Sequence, residues 1–381
     1  MSVSLSSVTS ASVYIIEWPI YPNNDGISTS YSIIYMIPKA SPLSFPFSST
    51  PTIGIPSPIR KGIDWCRHRL PFALDHINTW LIEDSGSTVI VDTGVADDIS
   101  RAGWEQILDG KQKISEISKI VITHAHPDHI GNASWLHHRT KASVWMTQSE
   151  FLTAQAVFEK SPSHSTTSIG ALFRQHGLPA NDCGSVAEKG DHYEKLVGSL
   201  PPSFIKISER DRLNIGNNSW RTIFGSGHSP EHLSLYCEEE NILISGDMLL
   251  PKISTNVAVW PHSPDGNPLK EFLMSIDSFN HLPADVLVLP SHGLPFVGAH
   301  QRVKELQMHH EERLNQILSV CHEPKNAFQI LPTLFERELD AYQLFFAMGE
   351  SIAHLNYLCW EGEVQKQESA TDQGVVNFIK Q

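Results

Sequence analysis

The sequence predicts an α+β fold in which two β-sheets pack face to face with helices outside. Three observations predict it. Short apolar runs fall into two groups, residues 78–146 and 204–289, with helical text between and after them. One run, Ile117–Thr123, leads straight into Thr123-His124-Ala125-His126-Pro127-Asp128-His129. Later runs each end near a glycine beside a histidine or an aspartate. Chemistry-bearing residues at successive strand ends are what a layered sheet fold gathers at one edge.

In chain order, Asn78–Ile82 and Thr88–Val91 flank Glu83-Asp84-Ser85-Gly86-Ser87 and predict a β-hairpin. Asp92-Thr93-Gly94 ends the second strand. Residues 99–109 place Ile99, Ala102, Gln106 and Ile107 at helical spacing. After the His cluster, Gly131–Leu136 begins a helix and Ala142–Met146 is a strand. Residues 148–200 carry helices broken by Ser, Pro and Gly, an insertion long enough to shape a pocket. Strands resume at 204–207, 220–224, 233–236, 242–244 and 286–289. Helices are expected over 302–320, 325–335 and 341–358, then a short β-wing from Gly362.

Composition narrows the function classes. The chain has 381 residues, 40% hydrophobic and 18% charged, enough for a globular core. No apolar run approaches the roughly 18 residues that span a bilayer. A net charge of −14 disfavours polyanions and anionic membranes. Five scattered cysteines, Cys66, Cys183, Cys237, Cys321 and Cys359, form no C-x-x-C and suit a reduced, cytoplasmic chain. Residues 1–58 hold three charged residues, Glu17, Asp25 and Lys39, and read as an irregular or disordered extension.

Three imidazoles and a carboxylate at a buried strand end need a partner, and a divalent cation is one. His228 follows the run 220–224, Asp247 follows 242–244, and His292 follows 286–289. With His124, His126, Asp128 and His129 they make seven candidate ligands. Seven exceed one tetrahedral zinc. They suit two ions roughly 3.5 Å apart with one carboxylate bridging, and a hydroxide between them to attack a carbonyl or phosphorus.

These motifs resemble the metallo-β-lactamase superfamily. The matching text is Thr-His-Ala-His-Pro-Asp-His at 123–129, Gly-His-Ser-Pro-Glu-His at 227–232, Ser-Gly-Asp at 245–247 and Ser-His-Gly at 291–293, with Val91-Asp92-Thr93-Gly94 at an early strand end. The resemblance implies an αββα sandwich over 59–300. It implies that His124, His126 and His228 bind one metal, that Asp128, His129 and His292 bind the other, and that Asp247 bridges. Two Zn²⁺ ions are the expected cofactor, with iron or manganese as alternatives. No cysteine replaces a ligand, which points away from antibiotic hydrolysis and toward thioesterases of the glyoxalase II kind, lactonases and nucleases. Asp92 is expected to hydrogen-bond a ligand histidine. Asp128 and His232 are the candidate catalytic residues: Asp128 as a ligand or proton carrier, His232 as a residue behind the ligands, facing substrate, or purely structural.

Residues 301–381 resemble the winged-helix-like appendage of some members of that superfamily, including an endoribonuclease. Seven Lys/Arg against twelve Asp/Glu there, a net of −5, argue against nucleic acid. A helical cap that shapes the pocket or a homodimer contact fits better. The leading expectation is a dinuclear hydrolase of a small ester or thioester. A single-strand endoribonuclease or phosphodiesterase and a non-hydrolytic di-iron redox protein are the alternatives. Leu70–Leu74, Trp80, Trp260 and Pro295-Phe296 read as pocket lining or as core.

Overall fold

The computed structural model describes residues 43–72, 74–109, 116–188, 192–335, 338–369, 372 and 374–381, and two earlier strands. Those strands, β1 (Ala11–Ile16) and β2 (Ile33–Pro38), pair antiparallel within a unit of their own. The remaining expectation for residues 1–42 lies outside the described residues. Ser44–Gln381 is the second unit.

Its first sheet has the order β3 (Ser57–Arg60), β4 (Ile63–Arg69), β5 (His76–Asp84), β6 (Ser87–Val91), β7 (Glu116–Val121), β8 (Ser143–Thr147) and β9 (Ile205–Ile207). β3 to β6 form an antiparallel meander, and β6 to β9 run parallel. Parallel neighbours need crossovers. Helix α1 (Asp98–Asp109) supplies the first, and α2 (Pro127–Ile130) with α3 (Ala133–Thr140) supplies the second. The third is the long insertion, carrying α4 (Gln148–Phe158), α5 (Thr166–Gln175), α6 (Ala180–Glu188) and α7 (Tyr193–Val197).

The second sheet runs β10 (Arg212–Ile215), β11 (Asn218–Gly225), β12 (His232–Cys237), β13 (Ile242–Gly246), β14 (Leu287–Pro290) and β15 (Phe296–Val297). In it β13 and β14 are parallel, and the other neighbours are antiparallel. Helix α8 (Pro268–Asp277) lies in the β13–β14 crossover and packs against β11.

Alternation along each strand builds the layers. Trp80, Ile82, Val89, Val91 and Val121 face Trp220, Leu233, Leu235, Ile244 and Leu289 across the inter-sheet core. Their neighbours Leu81, Ile90, Ile120 and Ile122 face outward and pack with Trp104, Leu136 and Ala154 of the helices. Both faces of the central strands are covered, which is why they read as continuous apolar text. The layers run helix, sheet, sheet, helix: an αββα sandwich.

A third core has no counterpart in the sequence reading. The inner faces of α5 and α6, from the insertion, join α9 (Ala299–Val320), α10 (Ala327–Leu334), α11 (Ala341–Trp360) and the hairpin β16 (Val364–Glu368)–β17 (Val376–Lys380). Phe173, Leu178, Val186, Ile317, Ile330, Met348, Ile352 and Phe378 share it. Insertion and tail, separate in sequence, are one helical module. Capping boxes at Asn326/Gln329 and Asp340/Gln343 start α10 and α11.

The described chain enters the sandwich at Ser44, ahead of residue 59. Ser44 exchanges backbone hydrogen bonds with Val297, and Phe47 packs edge-on against Trp65. Of the residues that read as pocket or core, Trp80 and Phe296 are fully buried, whereas Phe72 and Trp260 keep exposed surface. Among the described residues, no helix is long and apolar enough to cross a membrane.

Candidate metal centre

The seven candidate ligands come from five chain segments, all at one edge of the sandwich. His124 and His126 lie on the loop leaving β7. Pro127 then opens the single turn α2, which carries Asp128 and His129. His228 sits between β11 and β12, Asp247 directly after β13, and His292 directly after β14. His124, His126, His228 and Asp247 form one group of donor atoms, and Asp128, His129 and His292 form a second, each within 4.8 Å.

Glycine is required at two of these turns. A Cβ on Gly246, which has a φ of +54°, would fall 2.4 Å from the His232 ring. One on Gly227, at +95°, would fall 2.2 Å from the Pro268 carbonyl.

Hydrogen bonds fix which nitrogen of each imidazole faces the centre. His228 Nδ1 donates to the Asn256 carbonyl at 2.7 Å, and His292 Nδ1 donates to the His76 carbonyl at 2.7 Å. His129 Nδ1 donates to Asp92 Oδ2 at 2.8 Å. His124 Nδ1 lies 3.1 Å from Thr123 Oγ1. All four therefore turn Nε2 toward one another, the arrangement by which outer carboxylates and carbonyls prepare imidazoles for metal. His124 Nε2 stands 2.9 Å from His126 Nδ1 and 3.2 Å from His228 Nε2. Three ring nitrogens at such range cannot all carry protons.

Asp247 connects the two groups. Its Oδ2 lies 3.4 Å from His228 Nε2, and its Oδ1 lies 3.5 Å from His129 Nε2 and 3.4 Å from His292 Nε2. Asp128 Oδ2 is 3.4 Å from His292 Nε2. Among the described residues, buried His129 Nε2 and Asp247 Oδ1 have no hydrogen-bond partner, an expensive state that a cation would relieve. The donor set fits divalent metal.

Electrostatics divides the imidazoles. Burial and neighbouring imidazoles hold His124 and His126 well below the ordinary histidine range. Burial also opposes charge on His129 and His292, but Asp92, Asp247 and Asp128 outweigh it around His129, and Asp247 and Asp128 around His292, raising both. Asp247 is held well below the carboxylate range: burial opposes ionisation, and His292 and His129 overcome it. A cation entering the second group must displace these protons, so metal affinity falls as pH falls.

Asp92 makes the expected contact. It ends β6 in the left-handed region at φ +61°, a conformation aspartate tolerates better than most residues. Its carboxylate accepts from His129, from the Thr123 amide at 2.9 Å and from the Thr123 hydroxyl. Replacing Asp92 with Asn should weaken metal binding at the His129 group by roughly 10–100-fold. Competition with a chromophoric chelator checks this, and unchanged affinity would remove Asp92 from the centre.

His232 has no exposed surface. Its Nε2 accepts from the Asp247 amide at 3.1 Å, and its ring lies 4.8 Å from that of His124. This placement, behind the ligands, suits positioning of Asp247.

Several supporting residues carried no sequence signal. Glu150, on α4, is fully buried and accepts from the Ala125 amide at 2.8 Å and the Glu231 amide at 2.7 Å. It ties the His124–His126 loop to the His228 loop. Ser149 N in turn donates to Glu231 Oε2, and Tyr193 donates to the Ala125 carbonyl. Burial raises the Glu150 carboxyl above its ordinary value, against the pull of those bonds. Asn78 donates to the Pro290 and Gly293 carbonyls, and His76 Nε2 accepts from the Gly293 amide, so β5 holds the His292 loop. Tyr342, from α11, also reaches this edge; burial, then the Asp128 carboxylate, push its hydroxyl up to about 12.

The chain belongs to the metallo-β-lactamase superfamily, whose family model matches residues 73–292. A second model, the metallo-β-lactamase-like C-terminal domain, matches residues 314–381. The crystal structure of a β-lactamase domain protein from Burkholderia ambifaria superposes with a TM-score of 0.82 at 36% identity, covering 89% of this chain and 98% of that one. "Probable metallo-hydrolase YqjP" of Bacillus subtilis is 25% identical over 310 residues, 77% of this chain and 93% of that protein. The human protein named acyl-coenzyme A thioesterase MBLAC2 is 24% identical over 200 residues, 49% of this chain and 63% of that protein.

Proposed function

We propose that this protein is a dinuclear metal-dependent hydrolase of small esters and thioesters, with thioesters preferred and zinc as the metal. The observation that carries the reading is the set of imidazoles whose Nδ1 atoms face hydrogen-bonding oxygens and whose Nε2 atoms converge on both oxygens of Asp247. Histidine-rich donors with carboxylates suit zinc.

His124, His126 and His228 would hold one ion, Asp128, His129 and His292 the other, and Asp247 would bridge. A bound pair of divalent ions would supply an acidified water as nucleophile and a Lewis acid for the carbonyl oxygen. The chain does the rest. Asp92, His76 and Asn256 hold the ligand rings, and Glu150 holds their loops together. Asp128, with 18% of its side chain exposed, is the candidate ligand carboxylate closest to solvent. The reaction adds water across the acyl–sulfur bond: a C–O bond forms, the C–S bond breaks, and the thiol leaves with a proton.

The thioester preference is supported by the human relative's name and by the acidic chain, which repels polyanions. Five free cysteines, three of them buried, fit a reducing compartment. Stripping metal with a chelator should abolish acyl-thioester turnover, and added Zn²⁺ should restore it with two equivalents bound. The loaded protein should also unfold later, by about 4 kcal/mol of stability at a thousandfold excess over Kd. Turnover that survives stripping sinks the proposal.

A further inference from the structure

A row of aromatic side chains leads away from the metal centre. Phe72, on the loop before β5, stacks on Tyr342 at 5.7 Å and 11°. Tyr342 meets Phe346 at 5.1 Å, Phe346 meets Phe345 at 5.1 Å, and Phe345 meets Trp260 at 5.0 Å. Tyr342 is within electrostatic reach of Asp128, and the Phe72 loop leads into His76, whose carbonyl holds His292. Phe345 is buried, and Phe346 and Trp260 rest on the third core. Phe72, Tyr342, Phe346 and Trp260 all keep partial exposure.

The chemistry of the row is one-sided. It offers carbon surface at Phe72, Phe346 and Trp260 and one phenol at the end nearest the centre, where an amphipathic ring suits the boundary between apolar and wet surroundings. Continuity with the ligands names the occupant: the part of a substrate that extends from a carbonyl held at the metals. An anionic group would meet the Asp128 carboxylate at the entrance, whereas a run of methylenes meets only rings.

We propose that this row is the binding track for the aliphatic chain of the acyl group, so that the enzyme selects thioesters of longer fatty acyl chains over acetyl thioesters. The inference rests on the hydrolase reading for its reaction, but the track itself can be tested without turnover. Phe72 is supplied by the sandwich, Tyr342 and Phe346 by the tail. The helical module therefore contributes part of the substrate site.

The test uses the full chain loaded with zinc. kcat/KM is measured for acetyl, hexanoyl and decanoyl thioesters of N-acetylcysteamine, and decanoate binding is followed separately by calorimetry. The track predicts a rise in kcat/KM of about threefold to fourfold per methylene buried, the factor that ~0.8 kcal/mol per CH₂ represents. Phe346→Ala and the milder Phe346→Leu should flatten this rise and weaken decanoate binding, by about tenfold for the Ala variant. Met274→Ala, on the exposed face of α8, should leave the profile as it is. Circular dichroism confirms that each variant is folded.

Thioester turnover with no chain-length preference, and decanoate affinity equal in wild type and Phe346→Leu, would overturn the track and leave the hydrolase reading standing. Decanoate binding that weakens in the Phe346 variants, without any thioester turnover, would establish the track and overturn the thioesterase reading. Absence of both turnover and decanoate binding overturns both.

Discussion

Asp247→Asn is expected to lower hydrolysis by about a thousandfold and to leave at most one tightly held metal ion. Asp247 directs Oδ2 to the His124–His228 side and Oδ1 to the His129–His292 side. An amide keeps one acceptor and turns an N–H toward imidazoles that need a negative partner. On the proposed dinuclear reading the lost stabilisation is several kcal/mol, because a metal pair would polarise and position the reacting groups, and each ~1.36 kcal/mol is a factor of ten in rate. Metal analysis and steady-state kinetics on the same preparation check both halves. Two ions retained with turnover within tenfold of wild type would remove Asp247 from the bridging position.

Glu150→Ala is expected to produce the largest loss of stability among single changes near the centre. Its carboxylate satisfies two backbone amides, the buried one of Ala125 and the part-buried one of Glu231. Leaving a buried donor unmatched costs about 1–3 kcal/mol, so the pair amounts to roughly 2–6 kcal/mol out of a typical total of ~5–15. Glu150→Gln retains one acceptor and should fall between the two. Urea denaturation of metal-free and metal-loaded protein measures the effect. The Ala variant should also bind metal more weakly, because the loops carrying His124, His126 and His228 lose their tie. A change below about 1 kcal/mol, with metal binding intact, would show that Glu150 is not the clamp.

The cluster of candidate ligands was legible because its signal is local. Each follows an apolar run, and a glycine or proline beside it marks the turn. The sandwich was legible for the same reason, since alternation and runs of Val, Ile and Leu report burial directly. The supporting residues were not, because they act through partners distant in sequence. Glu150 meets Glu231, Asn78 meets Pro290 and Gly293, and His76 meets His292, contacts that only the folded chain creates. A glutamate on a helix after a strand reads as a surface charge, yet this one has no exposed area.

Strand β4 escaped notice for a different reason. Ile63-Asp64-Trp65-Cys66-Arg67-His68-Arg69 mixes charge with apolar residues, and His68 is a core residue, stacked on Trp104 at 4.6 Å and bonded to Thr79. Burial lowers its basicity to about 3, so it is neutral and packs as an aromatic ring. The third core was hidden as well. Apolar faces on α5 and α11 show that each helix must be covered, but not that one covers the other.

That division of cores has a bearing on how such a molecule can change. Cation-holding loops are braced by the sandwich, while most of the rings beside them are mounted on helices that pack elsewhere. On the proposed reading, replacements in the helical module would change which acyl groups are accepted while the loops that carry the candidate ligands keep their bracing.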